Sequence, residues 1–161
     1  MPKPAALWIL PLFLAGLLAY AWMRGELGGA HPGRWQSPST VVSLQLAALR
    51  QVDEPEPEAG FAIVFRFASP ENQRKTGPLP RFSRLLRTGP YGALVNHREA
   101  RLFAPIEQGA RASVPVDVTS RSGQIYRYVF LLRKNTGEPC DGCWLTEGVV
   151  PPGAAGAAPE I

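Results

Sequence analysis

Two cysteines stand three residues apart in Cys140-Asp141-Gly142-Cys143. A CxxC pair does redox chemistry when its first thiol opens a helix, because the helix dipole favours the thiolate. Here Glu138-Pro139 precede the pair and Trp144-Leu145 follow it, and an Asp-Gly centre is a strong hairpin signal. The spacing therefore predicts two sulfurs facing each other across a tight turn between strands. Outside the cytoplasm they would close a short loop as a structural disulfide. Free thiols, or a redox or metal site, are the alternatives. Zinc needs four ligands, and His31 and His97 lie far from the pair, so no metal and no cofactor is expected.

Other chemistry is sparse. There is no GxSxG elbow, phosphate-binding loop, HExxH or dinucleotide glycine pattern, so no catalytic residue is assigned. Asp53, His97, Glu107 and Asp117 are isolated titratable groups that could face a cavity. Basic residues concentrate between Arg66 and Arg101, and Arg81, Arg84 and Arg87 recur at intervals of three. They form a basic surface suited to anionic lipid headgroups, or a plain solvated helix face. Formal net charge is +4 over 161 residues, too mild to point to nucleic acid. Phe61, Phe65, Phe82, Tyr91, Tyr128 and Trp144 are candidates to line an apolar ligand pocket, and are equally the residues an ordinary core needs.

The elements that must hold these residues begin after a leader. Ala5 to Met23 is 19 residues without a charge, between Lys3 and Arg24. That is near the minimum for a membrane-spanning helix, and Ala19-Tyr20-Ala21 also resembles an export cleavage site. Residues 1–24 are thus expected to be a signal-anchor or a signal peptide, with the domain held outside the cytoplasm by a single pass or exported. A Gly-rich linker over 25–36 follows. Ser37-Pro38 has the chemistry of a helix start, and Val41, Val42, Leu44, Leu46, Ala48 and Leu49 give that helix an apolar face. A second helix is expected over Ala59 to Ala68, ending at Ser69-Pro70, and a third from Pro80 to Arg87, stopped by Gly89-Pro90.

Strands are expected from there: a short one at Ala93 to Asn96, a patchy one over Arg98 to Ile106, and an alternating one over Ala112 to Thr119. Gln124 to Arg133 reads as a central strand apolar on both faces, and Cys143 to Val150 as the last strand. Residues 151–161 are Pro, Gly and Ala with little to bury, and are expected to be a disordered tail. Helices followed by a meander of strands define an α+β domain over residues 37–150: three helices packed on one face of an antiparallel sheet.

The pieces quoted next carry a family resemblance. A leading helix holds Gln45-Leu46-Ala47-Ala48-Leu49-Arg50 and is followed by Asp53. A second helix closes on Phe67-Ala68-Ser69-Pro70, and Phe82, Leu85 and Gly89-Pro90-Tyr91 come after it. The strands carry Tyr128-Val129-Phe130-Leu131-Leu132 and the ending Cys143-Trp144-Leu145-Thr146-Glu147-Gly148-Val149-Val150. Over about two thirds of its length the chain resembles the family catalogued as domain of unknown function 4864, placed in the nuclear transport factor 2-like superfamily. The resemblance implies a cone, with a curved antiparallel sheet wrapped around helices and a mouth able to hold a ligand, and pairing of two copies through their sheets. The expected work is binding or scaffolding: a small apolar ligand in the cone, or a protein partner on the sheet. An isomerase or hydrolase using Asp53, His97 or Asp117 is the alternative, and a thiol redox protein using Cys140 and Cys143 a further one.

Overall fold

The structure, a computed structural model, describes residues 29–153. The expected signal or anchor helix and most of the C-terminal tail lie outside the described residues. Among the described residues, no helix is long and apolar enough to cross a membrane.

Helix α1, Pro38–Arg50, starts as its sequence requires. The Ser37 hydroxyl accepts the Thr40 N–H at 3.1 Å, and Pro38 opens the first turn, where no amide donor is needed. Its buried face holds Val41, Val42, Gln45, Leu46, Ala48 and Leu49. Helix α2, Ala59–Arg66, crosses it at Gly60. The Gly60 N–H donates to the Val52 carbonyl at 2.9 Å, and a Cβ there would lie 2.3 Å from the Ala48 carbonyl oxygen. Only a residue without a side chain permits that approach.

Two expectations fail in the next stretch. Ser69-Pro70, expected to end a helix, begins one instead: α3, Pro70–Thr76. The Ser69 hydroxyl accepts the Asn72 N–H at 3.1 Å, the same capping chemistry as at Ser37. After α4, Leu79–Arg87, the expected strand at Ala93 to Asn96 is instead the end of a 3₁₀ helix, Gly89–Leu94. Gly89, at φ +60°, makes the sharp turn, and Pro90 brings a helical φ to the following turn. The described residues thus hold four α-helices and a 3₁₀ turn rather than three helices.

The sheet is antiparallel throughout, with strands β1 Glu99–Leu102, β2 Ile106–Gln108, β3 Arg111–Thr119, β4 Ile125–Lys134 and β5 Trp144–Val150. Its order is β1-β3-β4-β5, with β2 also paired to β3. The single patchy strand expected over Arg98 to Ile106 is split in two. Pro105 has no N–H for a ladder, and the break falls beside it. On the inner face Val114, Val116 and Val118 stand opposite Phe130, Tyr128 and Tyr126. These side chains meet the buried faces of α1, α2 and α4 in one apolar core. The outer face of β4 is not fully covered: Val129 and Leu131 are half-buried, while Arg127 and Arg133 are exposed.

One strap holds the helical layer to the sheet. Between α2 and α3 the chain runs parallel to β5, bridging Ala68 to Thr146. The Ser69 N–H donates to the Thr146 carbonyl and the Thr146 N–H to the Phe67 carbonyl, each at 2.9 Å.

Candidate functional site

The strap leaves a cavity of about 160 Å³ between α1, α2, α3, α4, the 3₁₀ turn and the inner face of β4 and β5. Its floor is formed by buried side chains, among them Leu49, Val64, Phe82, Leu86, Leu94 and Phe130. The mouth lies where the lining is partly exposed, at Asn72 and Thr76 of α3, Leu85 of α4, Tyr91, and Gly148 and Val149 of β5. Leu85, 42% exposed, is an apolar lip. The Tyr91 hydroxyl crosses to the Val149 carbonyl at 3.3 Å, tying the 3₁₀ turn to the sheet at that edge.

Two polar side chains interrupt the floor. Gln45 and Thr146 are 1% and 3% exposed. The Gln45 Nε2 donates to the Thr146 Oγ1 at 2.8 Å and to the Val41 carbonyl at 3.3 Å, and the Thr146 hydroxyl donates back to the Gln45 Oε1 at 3.2 Å. Asn72 approaches from α3, its amide donating to the Thr146 carbonyl at 3.1 Å. Among the described residues, those that line the cavity carry no carboxylate, imidazole, thiol, amine or guanidinium, and Tyr91 is the one titratable side chain of that lining.

Of the aromatic pocket candidates, Phe82 and Tyr91 line this cavity. Phe65 backs Phe82, ring centroid to ring centroid at 5.2 Å. Phe61 is wholly buried, with the Arg87 guanidinium 4.7 Å above its ring. Trp144 is core, with the Lys134 ammonium over its ring. Tyr128 is buried, its hydroxyl donating to the Pro90 carbonyl at 2.8 Å, and burial pushes its pKa up to about 12. It lines, with Tyr126, Pro90, Ala93 and Pro152, a separate and more open hollow of about 190 Å³ against the 3₁₀ turn.

The titratable candidates are scattered. Asp53 accepts the Glu58 N–H and the Arg87 guanidinium, each at 3.0 Å; these two bonds hold its carboxyl below the usual range. Asp117 lies on the outer face of β3 in a two-bond pair with Arg127, which lowers it likewise. Glu107 is exposed on β2. His97 is buried, and burial lowers its pKa; its Nδ1 donates to the Leu94 carbonyl at 2.8 Å. None of the four lines the cavity.

The basic surface divides as well. Arg87 is engaged by Asp53 and Phe61, while Arg81 and Arg84 are exposed on α4. Cys140 and Cys143 lie at bonding distance in the connection from β4 to β5, not at a helix start. The Asn135 amide organises that connection, donating to the carbonyls of Gly137, Glu138 and Cys140 at 2.9–3.1 Å. Among the described residues, no group of three or more His, Cys, Asp or Glu could hold a metal.

Sequence reasoning did not single out Gln45, Asn72, Thr76 or Thr146. The one signal was Gln45 itself, an amide set between Leu44 and Leu46 on a helix face otherwise apolar.

These features define an α+β domain with helices on one face of an antiparallel sheet and a small cavity between the two layers. Residues 36–152 match the family described as a domain of unknown function (DUF4864), and the chain belongs to that family. No curated protein matches the chain. Among solved structures it is similar to the solution structure of RPA3114, a SEC-C motif containing protein from Rhodopseudomonas palustris. The likeness has 18% identity and a TM-score of 0.51, and covers 71% of this chain and 78% of that one. At that identity it speaks for the fold alone.

Proposed function

We propose that this domain binds a small, mostly apolar molecule in the cavity between its helices and its sheet. The observation that carries the reading is a concave space of about 160 Å³ with an apolar floor, two convergent polar groups and a partly open lip. Cavities of that size have room for a benzene-sized ring. Burying such a ring against Leu49, Leu94 and Phe130 removes apolar surface from water, which supplies the affinity. Among the described residues the lining offers no acid–base pair, and its apolar floor favours binding over the isomerase or hydrolase reading. We read the architecture as a cone of the nuclear transport factor 2-like kind. The extra residue in β5, Glu147, which has no partner between the Leu131–Gly148 and Leu132–Thr146 pairs, makes a bulge that bends that strand and supports the shape. The uncharged run from Ala5 to Met23 and the disulfide-distance cysteines both favour a domain held outside the cytosol. Protease added to spheroplasts should digest the domain if so.

Toluene titrated into methyl-labelled protein is the test of binding. Saturable shifts are expected at Leu49, Val64, Leu86 and Leu94, and they should vanish in Val149→Trp, which places an indole at the mouth. Shifts that never saturate, or that persist unchanged in the filled variant, would contradict the reading.

A further inference from the structure

The floor of the cavity poses a question that binding of a purely apolar molecule does not answer. A dry apolar cavity is best lined by hydrocarbon, yet two almost wholly buried polar side chains meet in this one. Their hydrogen-bonding capacity can be counted. Both N–H groups of the Gln45 amide are used, on the Val41 carbonyl and on the Thr146 hydroxyl. The Thr146 proton is used on the Gln45 Oε1. What remains is acceptor capacity: a second lone pair on the Gln45 Oε1 and one on the Thr146 Oγ1. Among the described residues, cationic and anionic side chains are both missing from the lining, so a charged group entering this space would lose its hydration without gaining a counter-ion from them.

We infer that the cavity takes a neutral, ring-sized molecule carrying one hydroxyl or N–H donor, which it gives to the free acceptor positions of the Gln45–Thr146 pair. This inference rests on the binding reading above and deepens it. The donor satisfies buried acceptors, the ring fills the space toward Phe82, Leu94 and Phe130, and the neutral state avoids an unpaired charge. Selection follows from the same count. A hydrocarbon of equal size leaves the acceptors unmet, and an acid brings a charge the lining does not answer.

The pair also has a structural use, since it joins α1 to β5 across 101 positions of sequence. The experiment must separate the two roles. Phenol, benzene and benzoate are titrated into the described domain within the full chain, native, with the double change Gln45→Met and Thr146→Val, and with Thr146→Ser alone. The ratio of phenol to benzene affinity is read for each. The double change removes both acceptors, since Thr146→Val alone would free the Gln45 amide for phenol. It nearly keeps the side-chain volumes and leaves the backbone bonds to Phe67 and Ser69. One hydrogen bond is worth roughly a fivefold change in affinity. The ratio is expected to fall by about that factor or more in the double variant and to stay near the native value in Thr146→Ser, with benzoate excluded throughout. A purely structural tie would lower the unfolding midpoint of the double variant and leave the ratio unmoved, which would overturn the inference. Entry of benzene with exclusion of phenol, or tight binding of benzoate, would overturn it also, with the binding reading intact. If neither ring enters, the binding reading itself fails and this inference with it.

Discussion

The two faces of the sheet are built from the same strands and by different means. On the inner face Val114, Val116, Val118, Tyr128, Phe130 and Leu132 are almost completely buried, and the helices close over them. On the outer face Asp117 pairs with Arg127 and Glu147 with Arg133. Phe103 there lies under two guanidinium groups, Arg127 at 4.9 Å and Arg101 at 5.3 Å. The inner face is held by volume, and each lost methylene leaves a void the neighbours fill only in part. The outer face is held by solvated pairs, which water can replace at little cost. The lesson is that stability and the candidate site share one face, so a change that empties the core also reshapes the cavity.

That contrast can be broken or sharpened by experiment. The largest effect is expected for Phe130→Ala, at about 3–5 kcal/mol lost, read from urea unfolding. A loss under about 1 kcal/mol would mean that the inner face is not the stabilising one. Next comes Gly60→Ala, which sets a methyl against the Ala48 carbonyl and the Val52 backbone; about 1–3 kcal/mol should be lost as α1 and α2 are forced apart. An unchanged midpoint would show that the two helices can separate freely.

His97 gives a smaller, pH-dependent effect. Burial lowers its folded pKa below the unfolded value of about 6.5, so the folded state prefers the neutral ring. Its stabilising contribution is present above the unfolded pKa and is lost as pH falls through about 6.5 toward the folded value. The urea midpoint should therefore drop between about pH 7 and pH 5.5 in the native chain, and drop less in His97→Asn. Equal slopes would remove His97 from the account. The smallest effect belongs to Ile125→Thr on the outer face, which should change stability by less than about 0.5 kcal/mol.

Much of this architecture is legible in the sequence. The alternation over Ala112 to Thr119 gives one long strand and its inward face, because a half-buried strand admits one apolar side chain in two. Gln124 to Arg133 gives the other strand, but with apolar residues on both faces it reads as covered on each side, whereas its outer face is only half-buried. Ser37-Pro38 and Ser69-Pro70 show where legibility ends. The two dipeptides cap helices in the same way, but the second follows an apolar helix and so reads as its stop rather than the start of α3. The 3₁₀ turn escapes notice because Tyr91, Ala93, Leu94 and Val95 have an apolar pattern as compatible with a short strand as with a tight helix. The cavity is harder still. Phe82 and Tyr91 reach it, while Phe61, Tyr128 and Trp144 go to the core or away from it, and nothing local in the sequence distinguishes them. Gln45 and Thr146 meet only after the whole fold is assembled, since their pairing belongs to no single element.

The central claim is that the space beneath Leu85 and Tyr91 is open to a ligand and apolar enough to hold one. Crystals of the domain pressurised with xenon test it most directly, since xenon enters apolar cavities of this volume and is located by its scattering. The account predicts a xenon atom in contact with Leu94, Phe130 and Val149, displaced in Val149→Trp. Crystals showing no xenon there, or xenon only in the hollow by Tyr126 and Pro152, would contradict it.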